Sequence, residues 1–152
     1  MYKQILVALD GSLSARRALK EALKLAEAAD AMLMVARVVS HDVSICDSAL
    51  GVVEAEAVDV IVRRQLDHAR DFCARNRIRG VTQIIDAHGA SIPGALMQAA
   101  QAFEADLIVM GAHGPRAVRR HLLGSVAETV LRSSHVPVLT VRDDQRDAAL
   151  AF

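Results

Sequence analysis

The stretch "ADLIVMGAHGPRAVRRHLLGSVAETVL", residues 105–131, carries three signals in a row. Leu107 to Met110 form a short, nearly continuous apolar run, the pattern of a strand buried on both faces of a sheet. A polar segment follows with Gly111, Gly114 and Gly124 spread through it and three arginines between them. From Ser125 onward Val126 and Val130 recur at helical spacing, which predicts a helix over 125–134. A strand, a glycine loop and a helix in that order make one unit of a parallel α/β domain.

The same alternation runs outward in both directions. "KQILVAL", residues 3–9, is a second buried-strand signal, and "DGS" behind it is a turn ending in a helix-capping serine, Ser12. Ala15, Leu19, Ala22 and Ala26 mark one helix face. "AMLMVARVV", residues 31–39, predicts the next strand, and residues 40–52 have no pattern and read as a loop. Val58, Val62, Leu66, Ala69 and Cys73 define a long helix, "VTQIID" (81–86) a third strand, and "HGAS" a turn into a helix bearing Ile92, Leu96, Ala99 and Phe103. "PVLTV", residues 137–141, closes the series as a fifth strand. The pattern predicts an α/β fold with an open, five-stranded parallel sheet, Rossmann-like, covered by helices on both faces through right-handed crossovers. One domain is expected over 1–142, with a frayed tail over 143–152.

Composition removes several function classes. Lys plus Arg and Asp plus Glu both number 18, so the formal charge is zero and no long-range attraction to nucleic acid is expected. Aromatic residues are 3% of the chain, too few for base-stacking platforms. Cys46 and Cys73 form no CxxC motif, and a reduced chain is the simpler expectation than a disulfide. The apolar run near the N-terminus meets Asp10 at once, too short for a signal peptide or a membrane span, which leads to the expectation of a soluble cytoplasmic protein.

In open α/β sheets, ligands bind beyond the carboxyl ends of the strands, where the winding reverses. "LDGS" and "GAHG" both stand at such ends. If the first and fourth strands are neighbours, Asp10 faces Gly111 and Gly114 across one crevice. Backbone N–H groups at the start of the following helix favour an anion, and glycines let backbone approach a phosphate closely. The alternative is plain: Gly111 ends a strand, Gly114 makes a turn, and Gly124 and Ser125 cap a helix. The spacing is neither that of a P-loop, whose lysine is missing, nor GxGxxG.

Gly111, Gly114, Gly124 and Ser125 fit G-x2-G-x9-G-[ST] in full. Together with "ILVALDGS", "ADLIVMGAHG", "LLGSVAETVL" and "VPVLTV", the segment resembles the ATP-binding members of the universal stress protein family over about residues 2–142. The resemblance implies the strand order 3-2-1-4-5, which makes strands one and four neighbours. It implies ATP as the ligand, with Mg²⁺, and nine contact positions. Ala8 and Asp10 match the contacts on the first strand, and Val38 matches an apolar contact on the adenine. Met110, Gly111, Gly114, Gly124, Ser125 and Val126 match the loop and helix contacts. It also implies a homodimer through the last strand, Pro137 to Val141, an edge rich in Val and Leu that pairing would protect. No membrane partner, no nucleic acid and an unidentified protein partner complete the expectation.

Individual residues keep two readings at this stage. Asp10 is a nucleotide or metal contact, or the turn-former of the DGS corner. Ser12 reads as a cap, and His113 as either a phosphate donor or an exposed loop residue. Arg116, Arg119 and Arg120 could fold over phosphates, while Pro115 contributes no N–H. His88 reads as core or turn packing, Glu54, Glu56 and Asp59 as a solvated helix face, and Met32, Met34 and Met97 as packing residues. The expected role is nucleotide-dependent regulation in a stress response. The alternatives are slow or partner-dependent ATP hydrolysis or phosphotransfer, for which no positioned base or loop lysine is visible, and a dimeric interaction module without nucleotide. Gly114→Val or Gly124→Val is expected to weaken ATP binding and leave the fold largely intact.

Overall fold

The computed structural model describes residues 1–39, 49–114 and 122–143, and of 49–58 the backbone alone. Five strands alternate with four helices: β1 (Gln4–Leu9), α1 (Leu13–Ala29), β2 (Met32–Val39), α2 (Ala49–Asn76), β3 (Gly80–Asp86), α3 (Ile92–Ala102), β4 (Leu107–Gly111), α4 (Ser125–Ser133) and β5 (Val138–Val141). All pairings are parallel and the sheet order is β3-β2-β1-β4-β5. The chain winds outward from β1 to β3, then returns to the other side of β1 for β4 and β5. The reversal falls between β1 and β4, whose registers align Ile5 with Leu107 and Val7 with Val109.

The apolar runs are continuous because each central strand buries both faces. Ile5, Val7 and Leu9 of β1 join Leu33, Val35, Leu107 and Val109 in a core layer beneath α1 and α2. Leu6 joins Met34, Ala36, Val38, Ile108 and Met110 in a second layer beneath α3 and α4. Alternation of period two thus feeds two cores from one run. On the helices, Ala15, Leu19, Ala22 and Ala26 are all buried, as their spacing predicts. So are Val62, Leu66, Ala69 and Cys73; the side chain of Val58 lies outside the described residues.

Three local readings change. Helix α2 begins at Ala49, so residues 49–52 are helical rather than loop; 40–48 lie outside the described residues. Ile92 is exposed, because the buried face of α3 passes through Ala95, Leu96 and Ala100 while Ile92 sits in its first turn. His88 lies in a turn with positive φ and its side chain is in solvent, so it packs into no core; its N–H donates to Asp86 Oδ1 at 2.8 Å. Asp59 is exposed, as a solvated face requires, but it also pairs with the largely buried Arg37 at 3.5 Å. Met34 is buried, and Met32 and Met97 are half-buried. Glu54, Glu56 and the tail from 144 onward fall outside the described side chains. Among the described residues no helix is long and apolar enough to cross a membrane.

Candidate functional site

β1 and β4 end side by side at the switch point, where open α/β sheets place their ligand crevice. At the end of β1, Asp10 Oδ1 accepts a hydrogen bond from the Ser12 N–H at 2.9 Å, and Gly11 between them takes φ 84°. A carboxylate that binds the amide two residues on fixes the turn, and glycine supplies the left-handed backbone that the turn needs. Ser12 then caps α1: its Oγ accepts from Ala15 N at 3.1 Å. Asp10 is therefore the turn-former, with one carboxylate oxygen engaged. Ser12 is the cap that the sequence suggests.

The glycine loop starts as β4 ends and is held at both of its ends. Ala112 N donates to Val141 O at 2.8 Å, tying the loop to the end of β5. Gly124 N donates to Ala112 O at 2.7 Å and staples the far end of the loop to its beginning. Gly124 lies so close that a Cβ there would stand 3.2 Å from Ala112 O and 3.4 Å from Gly114 N. A Cβ at Gly124 would thus crowd that staple, and Ala112 O would have to give by a few tenths of an ångström. Gly114 differs: among the described residues a Cβ there would meet nothing within 4 Å.

Gly111 has a structural duty that spacing alone did not reveal. A Cβ on it would lie 2.6 Å from Ala15 N, 2.8 Å from the Ser14 carbonyl carbon, and closer still to Ser14 Oγ. The first turn of α1 thus rests directly on the end of β4. This turn is what a side chain on Gly111 would meet.

Ser14 is the residue that sequence reasoning missed. Its side chain is 1% exposed, and its Oγ donates to His113 O at 2.7 Å while accepting from His113 N at 3.3 Å. The available signal was its place in the series Ser14, Ala18, Ala22, a polar residue on a face otherwise made of small apolar ones. His113 is 7% exposed, which overturns its reading as an exposed loop residue. The contact with α1 draws it inward. Its Nδ1 is buried and finds no hydrogen-bond partner among the described residues.

The helix behind the loop is open at its start. Gly124 is the N-cap of α4 and contributes no side-chain hydrogen bond, whereas Ser12 and Ser91 cap α1 and α3. Among the described residues no N-cap side chain bonds the first-turn amides of α4, and exposed Ser125 lies in that turn. Glu128, also in that turn, is paired with Arg132 at 2.7 Å, which offsets its charge near the helix start. Val126 packs, half-buried, on the core layer that holds Val38 and Met110, and half-buried Ala8 packs there too. Four of the nine sequence-selected residues thus share the α3/α4 side of the sheet, and Asp10, Gly111, Gly114, Gly124 and Ser125 lie along its carboxyl rim. Pro115, Arg116, Arg119 and Arg120 fall outside the described residues. Among the described residues no three His, Cys, Asp or Glu side chains cluster as a metal site.

The fold defines a doubly wound α/β domain with a glycine loop at its switch point. Residues 1–142 match the model of the universal stress protein family. A universal stress protein of Methanocaldococcus jannaschii is 30% identical over 149 residues, 97% of this chain and 86% of that one. A solved universal stress protein family member from Burkholderia pseudomallei is 34% identical with a TM-score of 0.71, covering 93% of this chain and 97% of its own. A universal stress protein solved in complex with cAMP is 28% identical with a TM-score of 0.69, covering 94% and 99%. The chain belongs to the universal stress protein family.

Proposed function

We propose that this chain is an ATP-binding regulatory module of the stress response, with ATP held in the crevice between the ends of β1, β2 and β4. The observation that carries the reading is the stapled glycine loop leading into a helix whose N-cap, Gly124, offers its first-turn amides no side chain. Such amides suit phosphate oxygens, and Gly114 leaves space for their close approach. The relative solved with cAMP supports an adenine nucleotide as the ligand. Ala8, Val38 and Met110 supply an apolar wall for the base, and Val126 extends it at the start of α4. Asp10, with Oδ1 already satisfied by Ser12 N, offers its other oxygen to a ribose hydroxyl or to Mg²⁺. Gly111, Gly114, Gly124 and Ser125 form the phosphate side.

The regulatory part rests on a second connection. The loop begins with the hydrogen bond from Ala112 N to Val141 O, so the nucleotide loop and the edge strand β5 share a contact. β5 has one neighbour in the sheet and exposes Leu139, which suits pairing with a second copy through Pro137 to Val141. ATP would act by favouring one arrangement of the loop and, through this contact, of the dimer edge that a protein partner reads. The test is a calorimetric titration of nucleotide-free protein with MgATP. The parent binds saturably and Gly114→Val binds more weakly with an unchanged circular dichroism spectrum; equal binding by both removes the loop from the site.

A further inference from the structure

We propose that Ser14 is the positioning residue of the glycine loop, a buried hydroxyl whose two hydrogen bonds to the His113 backbone fix the start of the loop and so pre-order it for phosphate. The inference rests on the nucleotide-binding reading above and adds to it what orders the loop.

Backbone amides serve as an anion cradle only when they are already aimed; a loop that must be ordered on binding loses affinity by the cost of that ordering. The two ends of this loop are fixed by main-chain hydrogen bonds, at Ala112 to Val141 and at Gly124 to Ala112. Between them, His113 gives both its carbonyl and its N–H to one side chain, Ser14 Oγ. The proton inventory is consistent. Ser14 has one hydroxyl proton, donated to His113 O at 2.7 Å, and it accepts from His113 N. Ser12 Oγ lies 3.3 Å away and, with the Ser14 proton already assigned, is the donor of that contact. Ser12 Oγ in turn accepts from Ala15 N, and Ser12 N donates to Asp10. A chain of hydrogen bonds therefore runs from Asp10 through Ser12 and Ser14 to His113, joining the two sides of the crevice.

Other side chains fit poorly at position 14. Alanine leaves the carbonyl and the N–H of His113 without a partner at a place closed to water, so the loop must move to hydrate them. Threonine or cysteine adds bulk where α1 and β4 are already in contact, as the lack of room for a Cβ on Gly111 shows. The hydroxyl of Ser14 and the bare backbone of Gly111 are complementary.

The experiment compares ATP with adenosine on parent and Ser14→Ala, both freed of nucleotide, by calorimetry. Hydrogen exchange at the His113 amide and the melting temperature of the free proteins are measured alongside. Loss of the clamp weakens ATP binding by about tenfold, from the loss of one or two buried hydrogen bonds. Adenosine, which has no phosphate for the loop to hold, is unaffected, and His113 amide protection falls. A purely structural role would lower the melting temperature and leave the ATP affinity as in the parent, and that result overturns the proposal. So does an equal loss for ATP and adenosine, or full His113 protection in the variant. If the parent itself binds neither ligand, the nucleotide-binding reading fails first; binding by the parent that the variant matches removes Ser14 alone.

Discussion

Replacing Gly111 by alanine should destabilise this protein far more than the same change three residues on. The new Cβ would stand 2.6 Å from Ala15 N and 2.8 Å from the Ser14 carbonyl carbon. Carbon contacts are comfortable at about 3.5–4.0 Å, so the first turn of α1 has to retreat by roughly 1 Å. The obstacle is backbone, not the far end of a flexible side chain, and α1 is anchored by Ala15, Ala18, Leu19, Ala22 and Leu23 in the core. Overpacking of this kind costs about 1–3 kcal/mol, with the upper end expected where neither side can yield. Loss of the Ser14 contact to His113 adds about 1 kcal/mol. A total near 4 kcal/mol lowers the melting temperature by roughly 8–16 °C for a chain of this size. Urea unfolding followed by far-ultraviolet circular dichroism is the suitable assay, because the chain has no tryptophan. Gly114→Ala is the internal control: its Cβ would meet nothing within 4 Å among the described residues, and its stability should stay within about 0.5 kcal/mol of the parent. A Gly111→Ala midpoint equal to the parent's, at unchanged slope, would refute the packing argument.

Three further outcomes follow from the same geometry. Ser12→Ala removes the cap on Ala15 N and should cost about 1 kcal/mol in the same urea assay; no loss would mean that the cap is replaced locally. Leu139→Glu places a charge on the exposed edge strand, where it should shift a homodimer to monomer in sedimentation velocity while leaving the fold unchanged; a parent that is already monomeric would remove the dimer from the proposal. Burial pushes the Cys73 thiol above its ordinary value, so in a Cys46→Ser background it should react with an alkylating agent at pH 8 much more slowly than after unfolding. Because the folded state holds this proton more tightly than the unfolded one, its contribution to stability is intact at neutral pH and declines as pH rises past the ordinary thiol range.

The strands were legible because a parallel sheet covered on both sides writes itself as continuous apolar runs, as in Ile5 to Leu9 and Leu107 to Met110. Their order was not written in any run. It entered through the resemblance of the whole domain to a family, and the structure bears it out. The start of α2 was missed because residues 49–52 lack an apolar period, although the backbone there is already helical. The glycines show a different limit. Spacing marks three of them alike, but Gly111 is required by the helix packed on it, Gly124 sits tightly against Ala112 O, and Gly114 meets no such neighbour among the described residues. Ser14 and the burial of His113 depend on contacts across 99 positions of sequence, which no local pattern records.

The most direct test of the nucleotide reading is the thermal stability of the nucleotide-free protein against ATP, with and without Mg²⁺. A ligand at a hundred times its dissociation constant adds about 2.7 kcal/mol to stability, several degrees for a chain of this length. We predict a saturable rise in melting temperature with ATP that Gly114→Val reduces. No rise at millimolar ATP would contradict it, and the glycine loop would then be only a turn between β4 and α4.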